Sequence, residues 1–129
     1  MKIIGIRARG IWLEPSWAVA GTRGSYGSCA LKIDFSPEWE GMRRRVTFFP
    51  ADGMSAVEVS VTNGEAIVPD SVMECAGSAC FIIDGERDGE RLISERGSLR
   101  VIDTARPGGR REEYAGARKE RKEDGIAVF

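Results

Sequence analysis

The run Cys29-Ala30-Leu31-Lys32-Ile33-Asp34-Phe35 alternates strictly, with Cys29, Leu31, Ile33 and Phe35 on one side of an extended chain and Ala30, Lys32 and Asp34 on the other. A period of two cannot serve a helix, whose faces repeat about every 3.6 residues, so this stretch is a half-buried strand. The same period returns along the chain. "KIIGIRAR" (2–9) sets Ile4, Ile6 and Ala8 against Arg7 and Arg9, and "RRVTFF" (44–49) turns Val46 and Phe48 one way. "MSAVEVSV" (54–61) aligns Val57, Val59 and Val61 opposite Glu58 and Ser60. "EAIV", "ACFIIDG", "RLIS" and "SLRVID" read as further short strands.

Turn chemistry separates these runs. Pro15 breaks "IWLEPSWAVAG", which suits an edge strand or a bend because proline has no N–H to give a ladder. "GTRGSYGS" reads as a long turn, "SPEWEGM" as a tight one closed by Gly41, and "GERDGE" as a hairpin turn. Asn63-Gly64 between β-branched runs is a hairpin signal, since both residues accept the positive φ of a type I′ turn. "PDSVMECAG" (69–77) is the one helical candidate in the body, with Pro69 at its start and Gly77 at its end. About seven to nine short strands and one short helix point to an all-β domain, an immunoglobulin-like β-sandwich.

The chain has 129 residues, room for one hydrophobic core. Its 19 basic and 20 acidic side chains nearly cancel, so no overall field marks a nucleic-acid or anionic-membrane partner. The balance is uneven along the chain: 12 basic against 15 acidic residues over 1–105 (net −3), 7 against 5 over 106–129 (net +2). Two parts are therefore expected, a sandwich over 1–105 and a charged tail over 106–129, flexible or ordered by a partner. The N-terminal "MKIIGIRARGIW" is interrupted by Arg7 and Arg9 and lacks the apolar core of a signal peptide or membrane span.

The chain contains no histidine, which removes Ser-His-Asp triads, Cys-His dyads and His-ligated zinc sites. Cys29, Cys75 and Cys80 alone do not complete a four-ligand structural zinc site and read as free thiols of a reducing compartment. No metal or cofactor is expected. Gly21, Gly24 and Gly27 lead into a strand and not a helix, so they form a turn and not a phosphate cradle. The carboxylates of "DGERDGE" (84–90) lack the spacing of a calcium loop and read as solvated turn charges. Arg43, Arg44 and Arg45 open a strand, where alternate side chains point to opposite faces and a structural role is expected. Trp39 reads as a core plug at its acidic turn. Trp12 and Trp17 flank Pro15 in an apolar edge segment, where each taken singly suits ordinary core packing and exposed aromatics would suit an assembly interface.

In order and spacing, "LKIDFSPEWEGM", "RVTFF", "VEVSV", "EAIVPDSVM", "CAG" and "CFIIDG" resemble a family of small β-sandwich modules in tailed-phage and prophage structural proteins. These are fibre, baseplate or head-appendage components of phages infecting Firmicutes, and the resemblance runs from about Gly21 to Ile102. The longer "IWLEPSWAVAG" and the charged tail depart from the family pattern. The resemblance implies that Trp39 closes one end of the sandwich where the chain crosses between sheets, with Gly41 allowing the turn. It implies a non-catalytic structural or adaptor protein, made in the bacterial cytoplasm and carried in the virion, that self-assembles and meets other virion proteins. Trp12, Trp17 and Phe129 are its candidate interface residues. Two other classes remain: a carbohydrate-binding module using Trp12, Trp17 or Tyr26 against a glycan, and a carboxylate-based hydrolase.

Overall fold

The computed structural model describes residues 1–53 and 55–103. The expected boundary at residue 105, the tail over 106–129 and Phe129 lie outside the described residues. The chain forms the expected all-β sandwich. Its strands are β1 (Lys2–Arg9), β2 (Trp12–Glu14), β3 (Trp17–Thr22), β4 (Cys29–Phe35), β5 (Arg43–Phe49), β6 (Val57–Ser60), β7 (Glu65–Ile67), β8 (Gly77–Arg87), β9 (Glu90–Ile93) and β10 (Gly97–Ile102). The helix α1 is a single turn, Asp70–Met73, within the segment read as helical.

One sheet has the order β2-β1-β4-β7 and the other β3-β10-β8-β5-β6, with β9 also paired to β8. The strand count exceeds the expected range because two single traverses are each divided. The first is "IWLEPSWAVAG". β2 runs antiparallel to β1 as far as the pair Arg7–Glu14; at the cis Glu14–Pro15 bond the chain leaves that sheet and continues in the other as β3, parallel to β10. The Ile11 carbonyl and the Leu13 N–H face away from β1, so Pro15 falls at the next outward position, where a strand edge tolerates a residue without an N–H, and the traverse changes sheet there.

The second divided traverse is β9 and β10, which follow one another along the same edge of β8. Between them Ser94 mends the interruption. Its N–H donates to the Ile83 carbonyl, and its hydroxyl accepts from the Ile83 N–H at 2.9 Å. A side chain thus takes the ladder position that the bulge removes.

The Asn63-Gly64 turn forms with φ of 53° and 77°, and Thr62 and Glu65 exchange backbone hydrogen bonds across it. The hairpin expected on either side of it does not continue, because β6 and β7 belong to different sheets. The Gly64 carbonyl is taken by the Ile33 N–H of β4, which draws the outgoing arm onto β4. A Cβ on Gly64 would stand 3.3 Å from the Ile33 carbonyl oxygen, so the close approach needs glycine as much as the turn does.

The inward rows of both sheets make one core, including Ile4, Ile6, Leu31, Ile33, Val46, Phe48, Phe81, Ile83, Leu99 and Val101. Its two open ends are closed differently. At the end where β1 and β4 finish, the chain crosses from β4 to β5 through a 3-10 turn, Pro37–Trp39, and Trp39 is fully buried. At the opposite end α1 inserts Val72 and Met73, both buried, and the Met73 carbonyl accepts from the Gly24 N–H.

Candidate functional site

Trp39 sits in a closed seat. Its indole Nε1 donates to the Gly10 carbonyl at 2.9 Å, and its ring meets Phe35 with centroids 5.3 Å apart. The guanidinium of Arg44 lies over the Phe35 ring, 4.4 Å from its centroid. Gly85 lies beneath the indole, where a Cβ would stand 3.2 Å from Cε3. Gly41, at φ 76°, adopts the left-handed conformation that lets the chain enter β5, and Arg87 donates from across the sheet to the Glu40 carbonyl. A hydrogen bond from Ser36 holds the exposed Glu38 carboxyl below its usual range. This turn organises the fold, with Trp39 fully buried among protein groups.

The three arginines divide as their alternation requires. Arg44 covers Phe35, while Arg43 and Arg45 project from the outer face of the β5 sheet. There the structure corrects one reading of the "DGERDGE" carboxylates. Asp84 is not a solvated turn charge: β8 extends through it to Arg87, and its side chain is only 3% exposed. Arg45 grips both carboxylate oxygens, Nε to Oδ1 at 3.1 Å and Nη2 to Oδ2 at 3.2 Å, and Arg91 adds Nη2 to Oδ2 at 2.8 Å. The bond to Asp84 raises the Arg45 guanidinium above its ordinary value, and Glu58 and Glu86 add to the effect. The actual turn is Asp88-Gly89, both at positive φ.

Asp84 is therefore a structural ion centre whose lone pairs are occupied by two guanidinium groups. Asp84→Ala is expected to lower stability by about 1–3 kcal/mol in urea unfolding. The effect stays below that of a fully buried pair because Arg45 and Arg91 can turn to water. An unchanged midpoint would show that the cluster contributes nothing net.

All three cysteines are free. Burial raises the Cys29 thiol, and Cys75 is raised by the hydrogen bond that its thiol donates to Asp52 Oδ2 at 2.8 Å. Among the described residues no group of His, Cys, Asp and Glu side chains is arranged to hold a metal ion. No helix among them is long and apolar enough to cross a membrane.

Trp12 and Trp17 are 62% and 64% exposed and lie on the same side of the sandwich, where β2 and β3 form the sheet edges. They project from opposite faces. Trp12 stands opposite Arg9 on the outside of the β1 sheet, and Trp17 opposite Ser98 on the outside of the β10 sheet. Tyr26, also exposed, belongs to the turn between β3 and β4 at the α1 end. The three aromatics therefore do not form one platform. Sequence alternation could not show this, because the change of sheet at Pro15 separates the faces of the two tryptophans.

Trp17 heads a row that the sequence alone does not display. Cross-strand register sets Trp17 beside Ser98, Ser98 beside Cys80 and Cys80 beside Phe49, across four strands of the outer face. Phe49 is 41% exposed. The other sheet carries a shallow cavity of about 550 Å³ over Gly5, walled by Arg7, Glu14, Lys32 and Asp34. Gly5 forms its floor because a Cβ there would meet nothing within 4 Å.

Comparison with known protein families and with curated proteins finds no match to this chain. The fold defines its class as an all-β sandwich.

Proposed function

We propose that the protein is a non-catalytic structural or adaptor component that works by assembling with copies of itself and with other proteins of a phage or prophage particle. The observation that carries the assembly reading is the exposure of Trp12 and Trp17 on one side of the sandwich. Large aromatics left in water cost free energy that association recovers, and aromatic residues are enriched at the centres of protein interfaces. The phage setting draws its support from the resemblance in sequence between Gly21 and Ile102. Light scattering on the full chain is expected to give a discrete oligomer. A monomer at high concentration overturns the reading.

A second reading, a glycan-binding module, is supported by the cavity over Gly5 on the face that also carries Trp12. Arg7, Lys32, Glu14 and Asp34 offer hydroxyl groups both donors and acceptors, and Trp12 offers a stacking surface at the sheet edge. A shift of tryptophan fluorescence on a glycan panel, lost in Trp12→Ala, supports it; a flat response across the panel removes it.

A further inference from the structure

Among the described residues the sheets end on β2, β3, β6, β7 and the four-residue, charged β9 (Glu90 and Arg91), and the structure treats β3 unlike the others. β2 is closed by Glu95. The Glu95 N–H donates to the Ile11 carbonyl, and its carboxylate accepts from the Leu13 N–H at 2.9 Å, so one residue occupies the positions a neighbouring strand would take. β6 and β7 are short and carry Glu58 and Glu65. Short length and charge are the ordinary guards against strand addition.

β3 has neither guard. "WAVAGT" is six residues long and contains no charge and no proline. Its inner edge is committed to β10, where the Ser98 N–H donates to the Ser16 carbonyl. In a parallel ladder alternate residues bond to the same neighbour, so the backbone of Ala18 also faces β10 while the N–H and C=O of Trp17 and Val19 face outward. Those outward groups have no backbone partner among the described residues.

Resting on the self-assembly reading, we infer that β3 pairs with β3 of a second copy, antiparallel about a two-fold axis, and joins the two β10 sheets into one. The edge is self-complementary. Pairing centred on Ala18 sets each Trp17 opposite the Val19 of the other copy, an aromatic–β-branched cross-strand pair on the outer face. In that register Trp17 and Val19 also exchange the outward N–H and C=O groups of both copies. The uncharged edge places no like charges opposite one another. Pairing of one short strand from each copy is a small contact beside the roughly 1,200 Å² at the low end of stable complexes, so a reversible dimer that dissociates on dilution is expected.

Sedimentation velocity on the full chain across a concentration series tests this, with Val19→Pro and Val19→Lys as variants. The Val19 N–H faces outward, so proline removes a donor used only by the second copy and leaves the β10 ladder whole. Lysine places a charge at the paired position. Each variant is expected to weaken dimerisation about tenfold or more, with thermal unfolding of the monomer little changed. An oligomer of unaltered strength in both variants overturns the β3 pairing while leaving self-assembly standing. A wild-type chain that stays monomeric throughout overturns both. Slow hydrogen exchange at the Trp17 and Val19 amides of such a monomer would show that the edge is not free for a second copy, which likewise overturns the pairing.

Discussion

Trp39→Ala is expected to lower the stability of the sandwich by about 3–5 kcal/mol, the range for truncating a large buried aromatic. For a domain of this size that corresponds to a fall of roughly 15–30 °C in the unfolding midpoint. The indole is fully buried, fills the space between Phe35 and Gly85, and satisfies the Gly10 carbonyl with its N–H. Removing it opens a cavity at the end of the core and leaves that carbonyl without its donor. Arg44 also loses the support beneath the Phe35 ring it covers. Trp39→Phe separates these terms, because it keeps most of the volume and loses the hydrogen bond; an intermediate loss is expected. The measurement is thermal unfolding followed by far-ultraviolet circular dichroism, which does not depend on the tryptophan signal. A fall of under about 5 °C for the alanine variant would show that the sandwich end closes without its plug.

Gly97→Ala is expected to be nearly as costly, about 3 kcal/mol, for the opposite reason: it overfills the core. Gly97 stands directly across from Phe81 in the β10–β8 pair, and the ring lies over the place a side chain would occupy. A Cβ there would come within 2.3 Å of Cζ, 2.5 Å of Cε1 and 2.9 Å of Cε2. Phe81 has little room to withdraw, since it is 1% exposed and packs against Phe48 at 6.3 Å between centroids. The double variant Gly97→Ala, Phe81→Leu should therefore lose less than the sum of the single changes, since the shorter side chain vacates the contested space. Strict additivity in urea unfolding would sink the explanation.

These two positions differ in how far the sequence exposes them. Trp39 is legible as a plug because a large aromatic between two glutamates, in a turn between two alternating strands, has few places to go except the core. Gly97 offers no such signal. Only the pairing of β10 with β8 reveals that an aromatic ring 16 residues earlier occupies its side-chain space.

The same division runs through the candidate interaction surfaces. The exposure of Trp12 and Trp17 agrees with an apolar edge segment around Pro15. Their projection from opposite faces, the closure of β2 by Glu95 and the open edge of β3 depend on partners far away in sequence. Asp84 shows the limit for charges. A carboxylate beside two glycines and more charges looks solvated, yet the ladder places Arg45 directly opposite it and brings Arg91 alongside.

Alternation, turn residues and the missing histidine are local properties, and they determined the all-β class, which faces turn inward and which chemistries the chain cannot build. Tertiary structure alone decided which strand lies beside which. That choice includes the parallel pairs β1–β4 and β3–β10, the division of "IWLEPSWAVAG" between sheets and the separation of β6 from β7 despite a well-formed turn. The reason is physical: a strand's own residues specify its two faces, but its edges hydrogen-bond through backbone groups common to every residue. The choice of neighbour is left to packing across the whole core.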